Sequence, residues 1–123
     1  MALVAAALNL MADALGNGTA PLNNIKFVSL HTADPLLTGG NEVTGGAPAY
    51  ARKSIAFVNP TVGGDLNSSN QPIFDVPAGV TITHVGYWSA VTAGIFYGAA
   101  AITNEAFTGQ GTYTLTDADV VIT

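Results

Sequence analysis

Hydrophobic and polar positions divide the chain into two regimes. Over residues 2–15 the large apolar residues Val4, Leu8, Met11 and Leu15 recur at spacings of four, three and four. That period sets them on one stripe of an α-helix. Alanine, the best helix former, fills much of the remainder. Gly16-Asn17-Gly18 then offers residues that tolerate a left-handed stop, and Pro21 follows. From residue 24 onward, short apolar runs are divided by Gly, Pro and Asn. The pattern predicts strands near 25–32, 50–58, 71–76, 80–89, 94–101 and 111–116, with a last one near 119–123. Turn signals such as Gly39-Gly40-Asn41, Gly63-Gly64-Asp65 and Pro77-Ala78-Gly79 separate them.

Alternation within the strands says which faces are buried. Tyr113 and Leu115 alternate with Thr112, Thr114 and Thr116, as in a half-buried strand. Ile55 and Phe57 alternate with Ser54 and Ala56. Residues 25–30 differ, because Ile25 and Phe27 point one way and Val28 and Leu30 the other. Such a strand needs cover on both faces: an opposing sheet on one, the N-terminal helix or a neighbouring subunit on the other. The expected fold class is mainly β: an antiparallel β-sandwich, jelly-roll-like, with one N-terminal α-helix. No repeat, linker or low-complexity tail is visible, so residues 1–123 read as one domain.

Composition narrows the function. Hydrophobic residues make up 49% of the chain and charged residues 9%, against a usual charged share of about 25%. With so few charges, the polar surface comes from Thr, Asn, Ser, Gly and backbone or is partly covered by neighbouring subunits. A mixture of the two is expected, which points to a homo-oligomer. The net charge is −5, with Lys26, Arg52 and Lys53 as the cations. That count excludes a phosphate-neutralising patch, and with it nucleic acid or an anionic membrane as partner. The chain has no cysteine, so thiolate catalysis and Cys-type zinc sites fall away. Residues 1–8 resemble the apolar part of a signal peptide. They lack a charged leader, and Asn9 and Asp13 interrupt the run. They are also too few to cross a membrane, so a retained structural helix is expected.

Candidate chemistry is thin. His31 with Asp34 and Glu42 matches no ligand spacing, so no metal and no cofactor are expected. Strand-end capping with a bond to nearby backbone is the plainer role for His31. The serines lack the strand-turn-helix context of a nucleophile elbow. Asp117 and Asp119 are read as a solvated turn before the last strand rather than a carboxylate pair. Tyr87, Trp88, Phe96 and Tyr97 serve either as core packing or as a carbohydrate platform. No catalytic residues are assigned.

Several runs are nonetheless distinctive. They are Leu30-His31-Thr32-Ala33-Asp34-Pro35, then Thr38 to Gly46 (TGGNEVTGG), then Tyr50 to Phe57 (YARKSIAF). In the second half they are Ser69 to Gly79 (SNQPIFDVPAG), Val85-Gly86-Tyr87-Trp88-Ser89 and Gly109-Gln110-Gly111-Thr112-Tyr113. In this order they resemble a family of small structural proteins from tailed phages of actinobacteria. Its members are labelled tail-fibre-like, minor tail or capsid decoration proteins. The resemblance spans nearly the whole chain. It implies a mostly antiparallel, jelly-roll-like fold, often trimeric, with no catalytic residues to transfer. It also implies a place in the virion after assembly in the host cytoplasm, with the major capsid protein or tail proteins as partners.

Physics then assigns candidate interface residues. Val4, Leu8, Met11 and Leu15 either pack on the core of their own chain or make the helix an anchor or inter-subunit element. Asp34 and Glu42 belong to the 33–49 loop, a candidate docking loop. Arg52 and Lys53 are candidate ion-pair partners for an acidic neighbour, or else a solvated strand end. A fibre shaft needs heptads, triplets or β-repeats, and the chain has none. Capsid (head) decoration is therefore the first expectation, a minor tail or tail-fibre-tip protein the alternative, and a host-glycan-binding module the third.

Overall fold

The computed structural model describes residues 2–21, 23–60 and 63–122. Thr123, the end of the last expected strand, lies outside them. The chain runs β1 (Ala2–Leu3), α1 (Ala5–Asn17), β2 (Phe27–His31), β3 (Lys53–Ser54), β4 (Asp65–Asn67), β5 (Ile73–Val76), β6 (Val80–Trp88), β7 (Phe96–Phe107), β8 (Gly111–Thr114) and β9 (Asp119–Val121). One five-stranded sheet has the order β1-β7-β6-β2-β3. Two ribbons, β4-β9 and β5-β8, complete the set, and every pairing is antiparallel. The fold is mainly β with a single helix, as the alternation predicts. The division into one sheet and two ribbons does not by itself spell out a jelly roll.

The core lies between the large sheet and the ribbons. Val28, Leu30, Ile82, Val85 and Tyr87 from the sheet meet Phe74 and Val76 of β5, Leu115, and Val120 of β9. Val28, Leu30, Phe74, Val76, Ile82 and Val120 are wholly buried. Each such side chain contributes about 1.5–3 kcal/mol over leaving it in water. The alternation of polar and apolar residues in β5, β8 and β9 keeps their outer faces wet, which is why half-apolar runs suffice there.

The helix begins later than the periodicity predicts. Residues 2–3 extend the sheet instead, pairing with Ala99 and Gly98 at the edge of β7. Val4 stays extended as the N-cap, and its N–H donates to the Tyr97 carbonyl. The stop is as predicted: Gly18 takes the left-handed conformation and its N–H bonds to the Asp13 carbonyl. The buried face is another correction. Ala7 is buried and Leu10 and Met11 are half-buried, whereas Leu8 is 51% and Leu15 92% exposed. The expected stripe sits about a quarter turn from the true inner face. Val4 lies outside the helical phase altogether: as an extended cap it packs with Trp88, Phe96 and Ala99.

The second face of β2 is covered within its own chain by the 33–49 loop, and α1 does not cover it. Phe27, Ser29 and His31 share that face with the cross-strand partners Trp88, Gly86 and His84. The 33–49 loop folds back over it. Gly39 (φ +75°) lies so close that a Cβ there would stand 2.5 Å from two Trp88 ring carbons. Gly39→Ala should therefore cost roughly 2–4 kcal/mol by urea unfolding, the sum of overpacking and a left-handed alanine. Gly45→Ala, left-handed but facing open space, should cost about 1–2 kcal/mol.

Candidate functional site

The loop that covers the sheet is held by two buried polar clusters. In the first, Arg52 Nη2 and Nε donate to the Glu42 carboxylate, each at 2.9 Å. The Arg52 side chain is 8% exposed and that of Glu42 21%. The guanidinium carbon stands 3.6 Å from the centre of the Trp88 ring. Nη1 donates to the Ala90 and Ala93 carbonyls at 3.0 and 2.8 Å. The Tyr50 hydroxyl donates to Glu42 Oε2 at 2.9 Å and accepts the Leu30 N–H at 3.0 Å. Burial, then the adjacent Glu42 charge, pushes the Tyr50 phenol well above its ordinary range.

The second cluster has a defined direction. His31 Nδ1 lies 2.7 Å from the Gly40 carbonyl, which can only accept, so Nδ1 carries the proton. Nε2 of the neutral ring then accepts from the Ser29 hydroxyl at 2.6 Å. Ser29 in turn accepts the Trp88 Nε1–H at 2.8 Å. Gly86 is the one residue that fits beneath: a Cβ there would meet His31 Nε2 and Ser29 Oγ at 2.7 Å. The bond from His31 to loop backbone is the role the sequence suggested. The Ser29–His31 contact is not legible from spacing, and it is no catalytic pair. Both residues are fully buried, and the third partner is a carbonyl rather than an acid.

Pinned in this way, the loop presents two turns. One is a tight turn in which the Pro35 carbonyl accepts from the N–H groups of Thr38, Gly39 and Gly40. Asp34 closes its start by accepting the Leu36 N–H at 2.8 Å. Leu36 adopts φ 55°, uncommon for a leucine, and Leu36 and Leu37 are 66% and 68% exposed. The other turn, residues 44–49, is tied to the β7–β8 connection by Gln110, which accepts from Ala47 N–H and donates to the Pro48 carbonyl.

The candidate residues thus separate. Asp34 and Glu42 share a loop without converging, and His31 has both nitrogens occupied, so the three do not form an ion cage. Arg52 faces inward onto Glu42, a correction to its expected role toward an acidic neighbour. Lys53 is half-buried on the edge strand β3, opposite Val28 of β2. Tyr87, Trp88, Phe96 and Tyr97 are all buried, so they are core and form no carbohydrate platform. Asp117 and Asp119 are exposed. Slight burial, a hydrogen bond that the protonated Asp119 carboxyl donates to Asp117, and repulsion by Asp117 and Asp65 hold the Asp119 carboxyl above its usual range.

Arg52→Ala should destabilise by roughly 2–4 kcal/mol in urea unfolding, because it leaves the partly buried Glu42 carboxylate with the Tyr50 hydroxyl and without its counter-ion. The pair change Arg52→Met with Glu42→Leu should cost less than the two single changes added together. Burial holds the His31 imidazole below its ordinary 6.5, against the opposing pulls of the Gly40 carbonyl and Glu42. A depressed histidine contributes stability that is fully present above the unfolded value of about 6.5 and lost as pH falls below it. The urea midpoint should drop between pH 7.5 and 5.5, and His31→Gln should flatten that drop.

No curated protein matches the chain. Residues 3–122 match the family described as podophage GP4 fiber I protein gp80, and the chain belongs to that family of phage fibre proteins.

Proposed function

We propose that this chain is a non-enzymatic component of the tail-fibre apparatus of a phage, a single-domain homotrimer that docks on neighbouring virion proteins. The observation that carries the reading is the family match over residues 3–122. The family description names a podophage and a fibre. It carries neither the actinobacterial source nor the head-decoration role that the sequence suggested first. The missing shaft repeat argued for decoration, but it bears only on whether this chain builds a shaft. A short β unit serves equally well as one module within a fibre or at its base.

The geometry supports attachment by two surfaces. The outer face of α1 offers Leu8 and Leu15, and the turn at 35–39 offers Leu36 and Leu37 on a base that Arg52 and His31 hold in place. Apolar side chains on a rigid base lose little conformational freedom on docking, so more of their burial energy becomes affinity. Association with other virion components is also what a fibre-family protein does by definition.

Antibody labelling of intact particles under the electron microscope should mark the tail in a few copies; label spread over the shell would restore head decoration. Sedimentation of the purified chain should give a trimer, and Leu15→Glu should shift it toward monomer without lowering the urea midpoint. A monomer at every concentration would remove α1 from the interface.

A further inference from the structure

Of the chain's asparagines, Asn17 is the one followed by glycine. Glycine has no side chain to keep its backbone nitrogen away from a neighbouring amide. Asn17 is the last residue of α1, and Gly18 is the left-handed residue that stops the helix. Both are exposed, and Gly18 faces open space. While the stop is formed, the Gly18 N–H is committed to the Asp13 carbonyl, and the Thr19 N–H reaches the same oxygen at 3.3 Å. The Asn17 side-chain amide donates to Asp13 Oδ1 at 3.0 Å. All these bonds belong to one exposed turn, with no basic residue to meet its carbonyls and with Leu15 92% exposed. Such a terminal turn opens at little cost. The other asparagines are placed differently. Asn67 precedes a serine, but it is paired with Asp119 in the β4-β9 ribbon, and the Ser68 N–H donates to the Ala118 carbonyl. Asn9 lies in mid-helix, and Asn59 precedes Pro60, which has no N–H to lose.

We propose that Asn17 is a site of spontaneous deamidation, gated by the opening of this turn. Opening releases the Gly18 nitrogen, which gives its proton to water and attacks Asn17 Cγ. The new N–C bond forms as the Cγ–Nδ2 bond breaks, and Nδ2 leaves as ammonia with a proton from water. Water then opens the five-membered imide at either carbonyl, giving aspartate or isoaspartate. Either product sets a second carboxylate beside that of Asp13, where the amide used to donate. Like charges four residues apart on a helix repel, and this one also sits at the negative end of the helix dipole. Isoaspartate adds a methylene to the backbone as well, which pulls Gly18 and Thr19 out of register with the Asp13 carbonyl. The modified helix therefore frays at its last turn.

The test ages the full chain in warm, mildly alkaline buffer and reads every asparagine by peptide mass spectrometry. The acid form should accumulate at residue 17 ahead of all other asparagines and in both isomers, and Asn17→Gln should stop it there. Enough guanidinium chloride to unfold the chain should speed the reaction, since the Gly18 nitrogen is then free at all times. Asn17→Asp stands in for one product. Its amide exchange at Gly18 and Thr19 should be about 2- to 10-fold faster than in the native chain. Asn17→Gln, which keeps an amide, should exchange like the native chain. Acid led by another asparagine, or none at residue 17, would overturn the site. Equal rates in the folded and unfolded chain would overturn the gate, and unchanged exchange in Asn17→Asp would overturn the fraying.

Discussion

A guanidinium buried on an indole organises this protein. Taking Arg52 out of water is expensive, several kcal/mol even after relaxation. The cost is offset only if every donor is met. Here the Glu42 carboxylate takes the forked pair, two carbonyls of the 90–93 turn take Nη1, and the Trp88 face takes the cation. Each partner comes from a different stretch of chain. The geometry that satisfies one cation therefore fixes the 33–49 loop, the turn after β6 and the rotamer of Trp88 together. Lysine would not do this, because a point charge has neither the fork nor the flat face.

The neighbouring histidine cluster completes the arrangement. A strand buried on both faces is usually apolar on both, but β2 carries Ser29 and His31 on its second face. Those groups are affordable only because the loop backbone returns a carbonyl and Trp88 returns an N–H. Gly39 and Gly86 are the steric counterpart of that exchange, since each sits where a methyl group would collide. Polar satisfaction and close approach are one solution here: the loop must come near to bond, and glycine lets it come near.

This explains what was readable beforehand. Apolar runs between turn signals place β5, β6 and β8 closely, and alternation itself is legible in β8, where Thr112 and Thr114 are exposed between buried and half-buried neighbours. The β4 strand went unseen because Asp65-Leu66-Asn67 has one apolar residue and no period to detect. The two-sided burial of β2 was legible; the identity of its cover was not, since that depends on contacts nine or more residues away. Arg52 looked like a surface cation because nothing local records a partner ten residues upstream or a ring thirty-six residues downstream. The aromatic cluster was ambiguous for the same reason. The helix is legible from its alanines and its glycine stop, but its phase is not, because the buried helical residue is the small Ala7 while the larger Leu8 and Leu15 are exposed.

The internal use of Arg52 leaves the surface with an unusual balance. Of three cations, one is spent inside, leaving Lys26 and Lys53 against eight acidic residues, of which Glu42 is neutralised within the fold. Identical copies therefore meet as anions. Long-range attraction cannot bring them together, and repulsion opposes association until salt screens it beyond about 8–10 Å. What can hold copies or neighbours is short-range apolar contact at places free of charge. The outer face of α1 comes near that condition, since Asp13 is its one charged residue and accepts a hydrogen bond from Asn17. The turn at Leu36 and Leu37 does so too, with Asp34 beside it. A helix with apolar residues on two sides and no side-chain N-cap gains little from its own sequence, so its stability comes from what lies against it. For a fibre-family protein the arrangement is consistent: one ion pair fixes the inside of the fold, and short-range contact is left to the apolar positions outside.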